Sequence, residues 1–363
     1  MIDGVRVALA TAFDSTYRSE FFENHKPLTS LRWYDPHRYI ASIRYRGAPL
    51  VGQKWLSTAA LPYLTAHSRD LSGFKFAVFC GGPVVQFSPS AGIRLMLAGQ
   101  MGAFATQNVT VLSLGLGSGG YALQSLRDPK DGLSREARDF YSFLGSFGPI
   151  TVRDAYAHDV LTAARIPSTL VPCPASLVGW DIQKRREPHT SFRRLIVNYQ
   201  YWGANESWGQ EYEPSQWAST IRGLVKQARR DFEVVFLAHN AYEGKLARAL
   251  DLDVEIFQPR NSDEFARIAV SACGAVTNRI HAAIPLAGAG VPVYTVGVDT
   301  RLGSVALLGG RTAPVWETEL HDLLAWLDGL KTDTPLGNMQ GVKMREYALK
   351  QYVLAMTAPS DHG

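Results

Sequence analysis

The sequence predicts an α/β protein made of two domains, each with a parallel β-sheet covered by helices. The first observation is length, because 363 residues exceed what one ordinary hydrophobic core contains. The second is composition: 46% of the residues are hydrophobic and 19% are charged, which is typical of a globular chain. The third is the alternation of short apolar runs with helical patterns, which is typical of parallel sheets.

The first half of the chain contains one series of these runs. Its predicted strands and helices alternate, and the segment 170–178 is expected to close the series. The strands are predicted at 6–12, 75–79, 110–115 and 150–153, and the helices at 52–66, 92–103, 135–147 and 155–164.

The second half contains another such series, and a polar, proline-containing segment at 180–191 separates the two. We therefore predict an N-terminal domain at 1–179, a hinge at 180–191, a C-terminal domain at 192–340, a terminal helix at 341–358 that packs back on the first domain, and a tail at 359–363. The strands are predicted at 194–199, 233–238, 275–278 and 293–297, and the helices at 214–231, 244–250, 262–273 and 281–289. Two Rossmann-like domains that face a cleft form the arrangement called GT-B-like, in which ligands bind beyond the carboxyl ends of the strands.

Charge and cysteine content narrow the possible functions. The net charge of +4 is dispersed along the chain, so a nucleic-acid partner is not expected. Three widely spaced cysteines indicate neither a disulfide framework nor a zinc site, and no metal is expected. The longest uncharged stretch, 282–298, contains prolines and glycines that exclude a membrane-spanning helix. We expect a cytoplasmic protein, for which loose peripheral contact with an acidic membrane remains an alternative.

The most informative segment places Arg279 and His281 between a predicted strand and a predicted helix. The free N–H groups and the dipole of a helix N-terminus attract phosphate or carboxylate, and both side chains would strengthen that attraction. The alternative is a structural one, in which Arg279 forms a surface ion pair and His281 caps the helix or lies in the core.

This segment resembles the Arg-Leu-His motif and following helix of the polysaccharide pyruvyl transferase family, with Ile280 as the middle residue. Three further segments resemble the family in the same order along the chain. They are 77–82, a strand that runs into Gly81 and Gly82; 151–154, Thr-Val-Arg-Asp; and 234–240, which contains His239. The resemblance covers roughly 76–301.

Two departures from the family pattern affect the acceptor side. Cys173 stands in the segment 171–176 where the family has the aspartate of Pro-Asp-Pro-Ala. The Asn-x-Gly-Asp loop that many members carry near the N-terminus is absent, and 47–52 takes its place without the asparagine or the acid.

The resemblance implies transfer of a pyruvyl group from phosphoenolpyruvate to two hydroxyls of a nucleotide-linked, lipid-linked or polymeric sugar, with release of phosphate. The N-terminal domain is expected to be the acceptor side and the C-terminal domain the phosphoenolpyruvate side. Phosphoenolpyruvate is a co-substrate, and no cofactor is expected. Its two anionic groups suit arginines, so we expect Arg279 and Arg153 to bind the donor together with Ile280 and His281. We expect His281 and His239 to be the acid–base groups. A loop histidine bonded to backbone is the alternative for His239.

A glycine-rich segment at 115–120 follows a strand and fits the GxGxxG pattern of dinucleotide sites. The acidic residue expected about 20 positions later, at the end of a second strand, is missing. We therefore expect Gly117 and Ser118 to line the cleft, as Gly81 and Gly82 would.

An aromatic-rich stretch at 199–208 includes Tyr201 and Trp202. Aromatic faces pack on sugar rings, so these residues are possible acceptor contacts. They are also common as loop anchors and in packing between domains.

Two other functions remain open. A GT-B glycosyltransferase with a nucleotide-sugar donor would have the same architecture and would also use basic residues against phosphates. A member without catalytic activity could bind glycans or assist an assembly, which Cys173 and the absent loop leave open.

Overall fold

The computed structural model describes residues 7–10, 76–80, 84–89, 94, 97, 101, 109–118, 123, 126–129, 132–186, 194–204, 212–332 and 338–357. These residues form two parallel β-sheets with helices packed on them, as predicted.

The first sheet has five parallel strands in the order β1-β2-β3-β4-β5. Two capped helices follow its third and fourth strands: Ser134 caps the first, and Asp154 caps the second. The elements are β1 Val7–Ala10, β2 Phe76–Cys80, β3 Thr110–Leu116, α1 Arg135–Gly145, β4 Ile150–Val152, α2 Ala155–Ala163 and β5 Ser168–Leu170.

The second sheet has six parallel strands in the order β11-β10-β9-β6-β7-β8. Successive strands extend the sheet in opposite directions from β6 and β9, so the order reverses between these two, which is the Rossmann topology. The elements are α3 Gly179–Arg185, β6 Arg194–Val197, α4 Pro214–Ala228, β7 Glu233–Leu237, α5 Ala241–Leu250, β8 Glu255–Phe257, α6 Ser262–Val270, β9 Ala272–Thr277, α7 Ile280–Gly288, β10 Val293–Gly297, α8 Leu302–Ala306, β11 Arg311–Pro314, α9 Leu320–Thr332 and α10 Met339–Thr357.

The terminal helix α10 packs back on the first sheet, which confirms the prediction. Its Ala348 and Tyr352 are buried in one apolar cluster with Val78 and Leu112. The Tyr352 hydroxyl also donates to the carbonyl of Pro172. The helix therefore ties the end of the chain to the first domain.

The carboxyl ends of the two sheets meet, and we call the space where they meet the cleft. Ser118, after β3, shares a 2.6 Å hydrogen bond with Thr300, after β10. Leu123 donates its N–H to the carbonyl of Val298 at 2.9 Å. Residues that follow strands in both domains are thus brought together, as the fold class predicts.

The predicted hinge at 180–191 begins with a packed helix. Helix α3 covers Gly179–Arg185, and its Ile182 is fully buried. An added Cβ on Gly179 would lie 2.4 Å from the backbone of Gly288, so this helix lies directly against α7. The prediction of an exposed linker was therefore wrong for this part, because the charged residues of the segment conceal one apolar face. The proposed domain limits remain predictions.

Several predicted boundaries shift. The helix predicted at 262–273 ends at Val270, and residues from Ala272 onward belong to β9. Within 170–178, strand β5 ends at Leu170, and Pro174–Val178 is a 3₁₀ helix. The strands and longer helices that were not predicted are α3, β8, β11, α8 and α9.

Some predictions fall on residues that the structure does not describe. The predicted helix at 52–66 lies outside the described residues, as do Gly81 and Gly82. Within the helix predicted at 92–103, Arg94, Leu97 and Met101 are described, and all three are helical.

Candidate active site

The candidate site begins where the strand order of the second sheet reverses, between β6 and β9. Asn278, at the end of β9, accepts hydrogen bonds from the Gln200 N–H and the Trp217 indole, both at 3.0 Å. Its amide donates to the carbonyl of Val296 at 2.7 Å. Because Asn278 joins the ends of three neighbouring elements, it fixes the direction in which the next residue, Arg279, leaves the sheet.

Arg279 lies at the start of α7, and its guanidinium forms an ion pair with Glu243 of α5. Arg279 Nε donates to Glu243 Oε1 at 2.6 Å, and Nη2 donates to the same oxygen. The Glu243 side chain is 1% exposed and that of Arg279 is 19% exposed, so this is a buried pair rather than a surface one. Glu243 also accepts from Asn198 at 3.0 Å, Gln200 at 3.2 Å and the His239 N–H at 2.8 Å.

His239 follows β7 and lies beside this pair. Its backbone N–H is bound by Glu243, while its Nδ1 is buried without a hydrogen-bond partner among the described residues. Burial lowers the pKa of His239, Arg279 lowers it further, and Glu243 acts in the opposite direction. The ring is therefore uncharged at neutral pH.

His281 lies in the first turn of α7, and part of the residue is exposed to solvent. The surrounding protein and the positive charges of Arg153, Arg301 and Arg279 lower its pKa to about 3. Three arginines from two domains are therefore close enough to act on one imidazole. Although Arg279 and Arg301 each pair with a carboxylate, their remaining N–H groups and those of Arg153 are donors that suit an anion.

Arg153 reaches this cluster from the first domain, directly after β4. It is 1% exposed, and its Nη1 donates to Cys173 Sγ at 3.4 Å. Its Nε has no hydrogen-bond partner among the described residues. An added Cβ on Gly117 would lie 2.4 Å from that Nε, so a glycine at 117 makes room for the guanidinium. The glycine-rich segment thus packs against Arg153, and the expectation that Gly117 and Ser118 line the cleft stays a prediction.

The residues next to Arg153 and Arg301 join the two sheets. Asp154 caps α2 and accepts the N–H of Ser118 at 2.9 Å, while the Ser118 hydroxyl bonds Thr300. Arg301 follows Thr300 and donates from Nε to both carboxylate oxygens of Asp299, at 2.9 and 3.0 Å. Arg301 was not predicted as a site residue, although its position after the predicted strand 293–297 was a usable signal.

The other predicted site residues differ in how they can act. The side chain of Ile280 is buried in the core of the second domain, so a donor could reach only its backbone. Tyr201 and Trp202 lie in the turn after β6, directly after Gln200 of the Glu243 network.

The described residues contain no metal-binding cluster and no membrane-spanning helix. No cluster of three or more histidine, cysteine or acidic side chains arranged to hold a metal occurs in the described part of the chain. None of the described helices has the length and apolar character needed to span a membrane.

The sequence profile of polysaccharide pyruvyl transferases matches residues 10–300, a range that includes Arg153, Arg279 and His281. The chain belongs to the polysaccharide pyruvyl transferase family. The resemblance seen in the sequence motifs is thereby confirmed, and membership makes this protein a transferase. No curated protein matches this member of the family.

Solved structures resemble this family member in outline. A putative UDP-N-acetylglucosamine 2-epimerase from Listeria monocytogenes has 12% identity and a TM-score of 0.49, with 86% of this chain and 82% of that chain covered. The UDP-GlcNAc 2-epimerase from Neisseria meningitidis bound to UDP-GlcNAc has 13% identity and a TM-score of 0.45, with 84% and 83% covered. Similarities of this strength do not extend to activity.

Proposed function

We propose that this transferase moves the pyruvyl group of phosphoenolpyruvate onto two hydroxyls of one sugar, forms a cyclic ketal and releases phosphate. The observation that carries the proposal is the contact of Asp154 with Ser118 and of Ser118 with Thr300, which brings the neighbouring Arg153 and Arg301 together from the two domains beside Arg279 and His281. Phosphoenolpyruvate has a carboxylate and a phosphate on adjacent positions, and three arginines can bind both groups with planar, paired donors.

The start of α7 supports the same donor. Helix N-termini leave N–H groups free to face an anion, and the helix dipole adds positive potential. Arg279 does not cap this helix with its side chain, and its guanidinium is held to one side by Glu243. A phosphate above the first turn of α7 would therefore meet backbone N–H groups, His281 and the arginines together.

Ketal formation needs one proton at the methylene carbon and removal of two protons from the attacking hydroxyls. Protonation turns the methylene into a methyl group, and the first sugar oxygen bonds to the carbon that carried the double bond. The bond from that carbon to the phosphate oxygen then breaks, and the second sugar oxygen takes its place. One hydroxyl proton balances the proton added to the methylene, and the other leaves with phosphate.

His281 is the group we assign to proton transfer. In the free protein its lowered pKa leaves it uncharged. A bound dianion offsets the positive charge of the arginines, so the imidazole gains a proton when the donor binds and can then deliver it. His239 lies next to Arg279 and is the second acid–base candidate.

Turnover tests the proposal. Purified protein is incubated with phosphoenolpyruvate and a panel of free, nucleotide-linked and lipid-linked sugars, and both phosphate and the mass of the sugars are measured. We expect phosphate release and a pyruvylated product with at least one acceptor. Arg301→Ala is expected to abolish both signals. Absence of phosphate and product with every acceptor would contradict the proposal.

A further inference from the structure

The exposed aromatic side chains of the described part of the chain lie together. Among its phenylalanine, tyrosine and tryptophan residues, the two exposed ones are Tyr201, at 42%, and Tyr242, at 58%. Exposed aromatic surface costs free energy in water, and aromatic residues are typical of contact surfaces. Their common location therefore calls for an explanation.

Both residues flank the network that holds Arg279. Gln200 donates to Glu243 Oε1 at 3.2 Å, the same oxygen that Arg279 binds. Tyr201 follows Gln200, and Tyr242 precedes Glu243 in the chain. Each tyrosine is thus one residue away from a group that contacts Arg279 or its partner.

The backbone around Tyr201 is fixed. The Gly203 N–H donates to the Gln200 carbonyl at 2.9 Å, which closes a tight turn with Tyr201 and Trp202 at its centre. Gly203 has φ +69 and leaves no room for a Cβ beside Val315, so the turn requires glycine. The rings of Tyr201 and Trp202 pack edge to face with centroids 5.1 Å apart.

Tyr242 is also held by a fixed element. It lies in the first turn of α5, where Asn240 accepts the Glu243 N–H at 2.9 Å. Burial, together with the neighbouring hydroxyls of Tyr201 and Tyr242, raises the pKa of Tyr199 to about 12, against a weaker opposite effect of Arg222. The hydrogen bond between Gln200 and Glu243 joins the two backbone segments that carry Tyr201 and Tyr242.

We propose that Tyr201, Trp202 and Tyr242 form an aromatic platform that stacks against a pyranose ring of the acceptor saccharide. This inference rests on the proposed function, because the sugar hydroxyls must reach a donor bound at Arg279 and His281. The apolar C–H face of a pyranose packs on aromatic rings, while its hydroxyls remain free at the edge of the ring. The platform holds the ring that is modified or the ring next to it.

Saturation-transfer NMR with methyl pyranosides of glucose, galactose, mannose and N-acetylglucosamine tests the platform, with and without phosphoenolpyruvate. We expect saturation of the C–H protons of at least one pyranoside. Loss of the stacked area in Tyr201→Ala or Tyr242→Ala should weaken its binding about tenfold. Tyr201→Phe and Tyr242→Phe should bind as the parent does, because stacking does not need the hydroxyl.

Met339→Ala is the control, because Met339 is 47% exposed and α10 begins next to Gly290. Gly290 precedes β10 and therefore lies at the end of the strands opposite to the cleft.

Failure of every pyranoside to bind the parent, or equal binding in the alanine variants, overturns the inference. A change in molecular mass of the parent with concentration that the alanine variants lack would point to self-association instead and also overturns it. Calorimetry with phosphoenolpyruvate on the parent and the same variants separates the two proposals. Absence of donor binding to the parent would contradict the proposed function, whereas donor binding to the parent without pyranoside binding would contradict the platform alone.

Discussion

Two helix N-termini in the second domain begin with the same device and serve different purposes. Helix α5 is capped by Asn240 and α6 by Asn261, and each asparagine accepts the N–H of a glutamate three residues later at 2.9 Å. Each glutamate then accepts the N–H of the residue before the cap at 2.8 Å. The local chemistry is the same in both places.

The partners of the two glutamates differ. Glu243 binds Arg279 of another helix and is 1% exposed, whereas Glu264 binds Arg260 and Arg267, whose side chains are 85% and 70% exposed. Position in the sheet explains the difference. Helix α5 follows β7, beside the strand-order reversal, while α6 follows the edge strand β8. A helix cap becomes part of a site when it lies at this reversal.

The largest expected effect comes from removing the two glutamates separately. Glu243→Ala leaves Arg279 as a buried charge without its partner and should lower the free energy of unfolding by about 3 kcal/mol or more. Glu264→Ala should have a much smaller effect, because water replaces the carboxylate around its exposed arginines. Urea denaturation measures both losses.

The cap asparagines provide the control for this pair. Asn240→Ala and Asn261→Ala remove the same hydrogen bond from each helix and should each cost about 1 kcal/mol. Glu243→Gln replaces the alanine variant if the latter does not fold. Equal losses for the two glutamate variants would show that Glu243 acts only as a cap.

The second-largest expected effect is proton uptake by His281 when phosphoenolpyruvate binds. Helix α5 borders this proposed donor site, and α6 does not. Because the pKa of His281 is lowered to about 3, its imidazole is uncharged at neutral pH before the donor binds. Phosphoenolpyruvate should raise that pKa, so its binding takes up protons. Binding should become tighter as the pH falls from the pKa of His281 in the complex towards its pKa in the free protein. Calorimetry in two buffers with different ionisation enthalpies measures this uptake.

The uptake should decrease in His281→Gln and persist in His321→Gln, whose side chain is 76% exposed at the start of α9. The same uptake in His281→Gln would assign the protons to another group. The shift also affects stability: the unfolded chain binds the His281 proton at a higher pH than the folded chain, so His281 destabilises the fold as pH falls below the ordinary histidine range.

Much of the fold and part of the site followed from the sequence for a physical reason. Parallel strands place the residues that follow them at one edge of a sheet, so Arg279 and His281 were identified from their position after an apolar run, whereas Arg153 was expected from the family resemblance. The buried strands and the terminal helix were predicted because their apolar residues recur at the strand or helix period.

The remainder depended on tertiary contacts. The strands Glu255–Phe257 and Arg311–Pro314 are short edge strands with little apolar pattern, so they resembled loops. The role of Glu243 depends on its contact with Arg279, 36 residues away, which no local pattern discloses. Its Asn-x-x-Glu spacing indicates a helix start, but Glu264 has the same spacing and lies outside the site.

Binding of phosphoenolpyruvate to Arg279→Ala and Arg260→Ala tests the central claim most directly, because both arginines pair with the glutamate of a helix start. Calorimetry should show binding to the parent and to Arg260→Ala, and its loss in Arg279→Ala. The account would be contradicted if the parent bound a nucleoside diphosphate and not phosphoenolpyruvate, or if both variants bound phosphoenolpyruvate as the parent does.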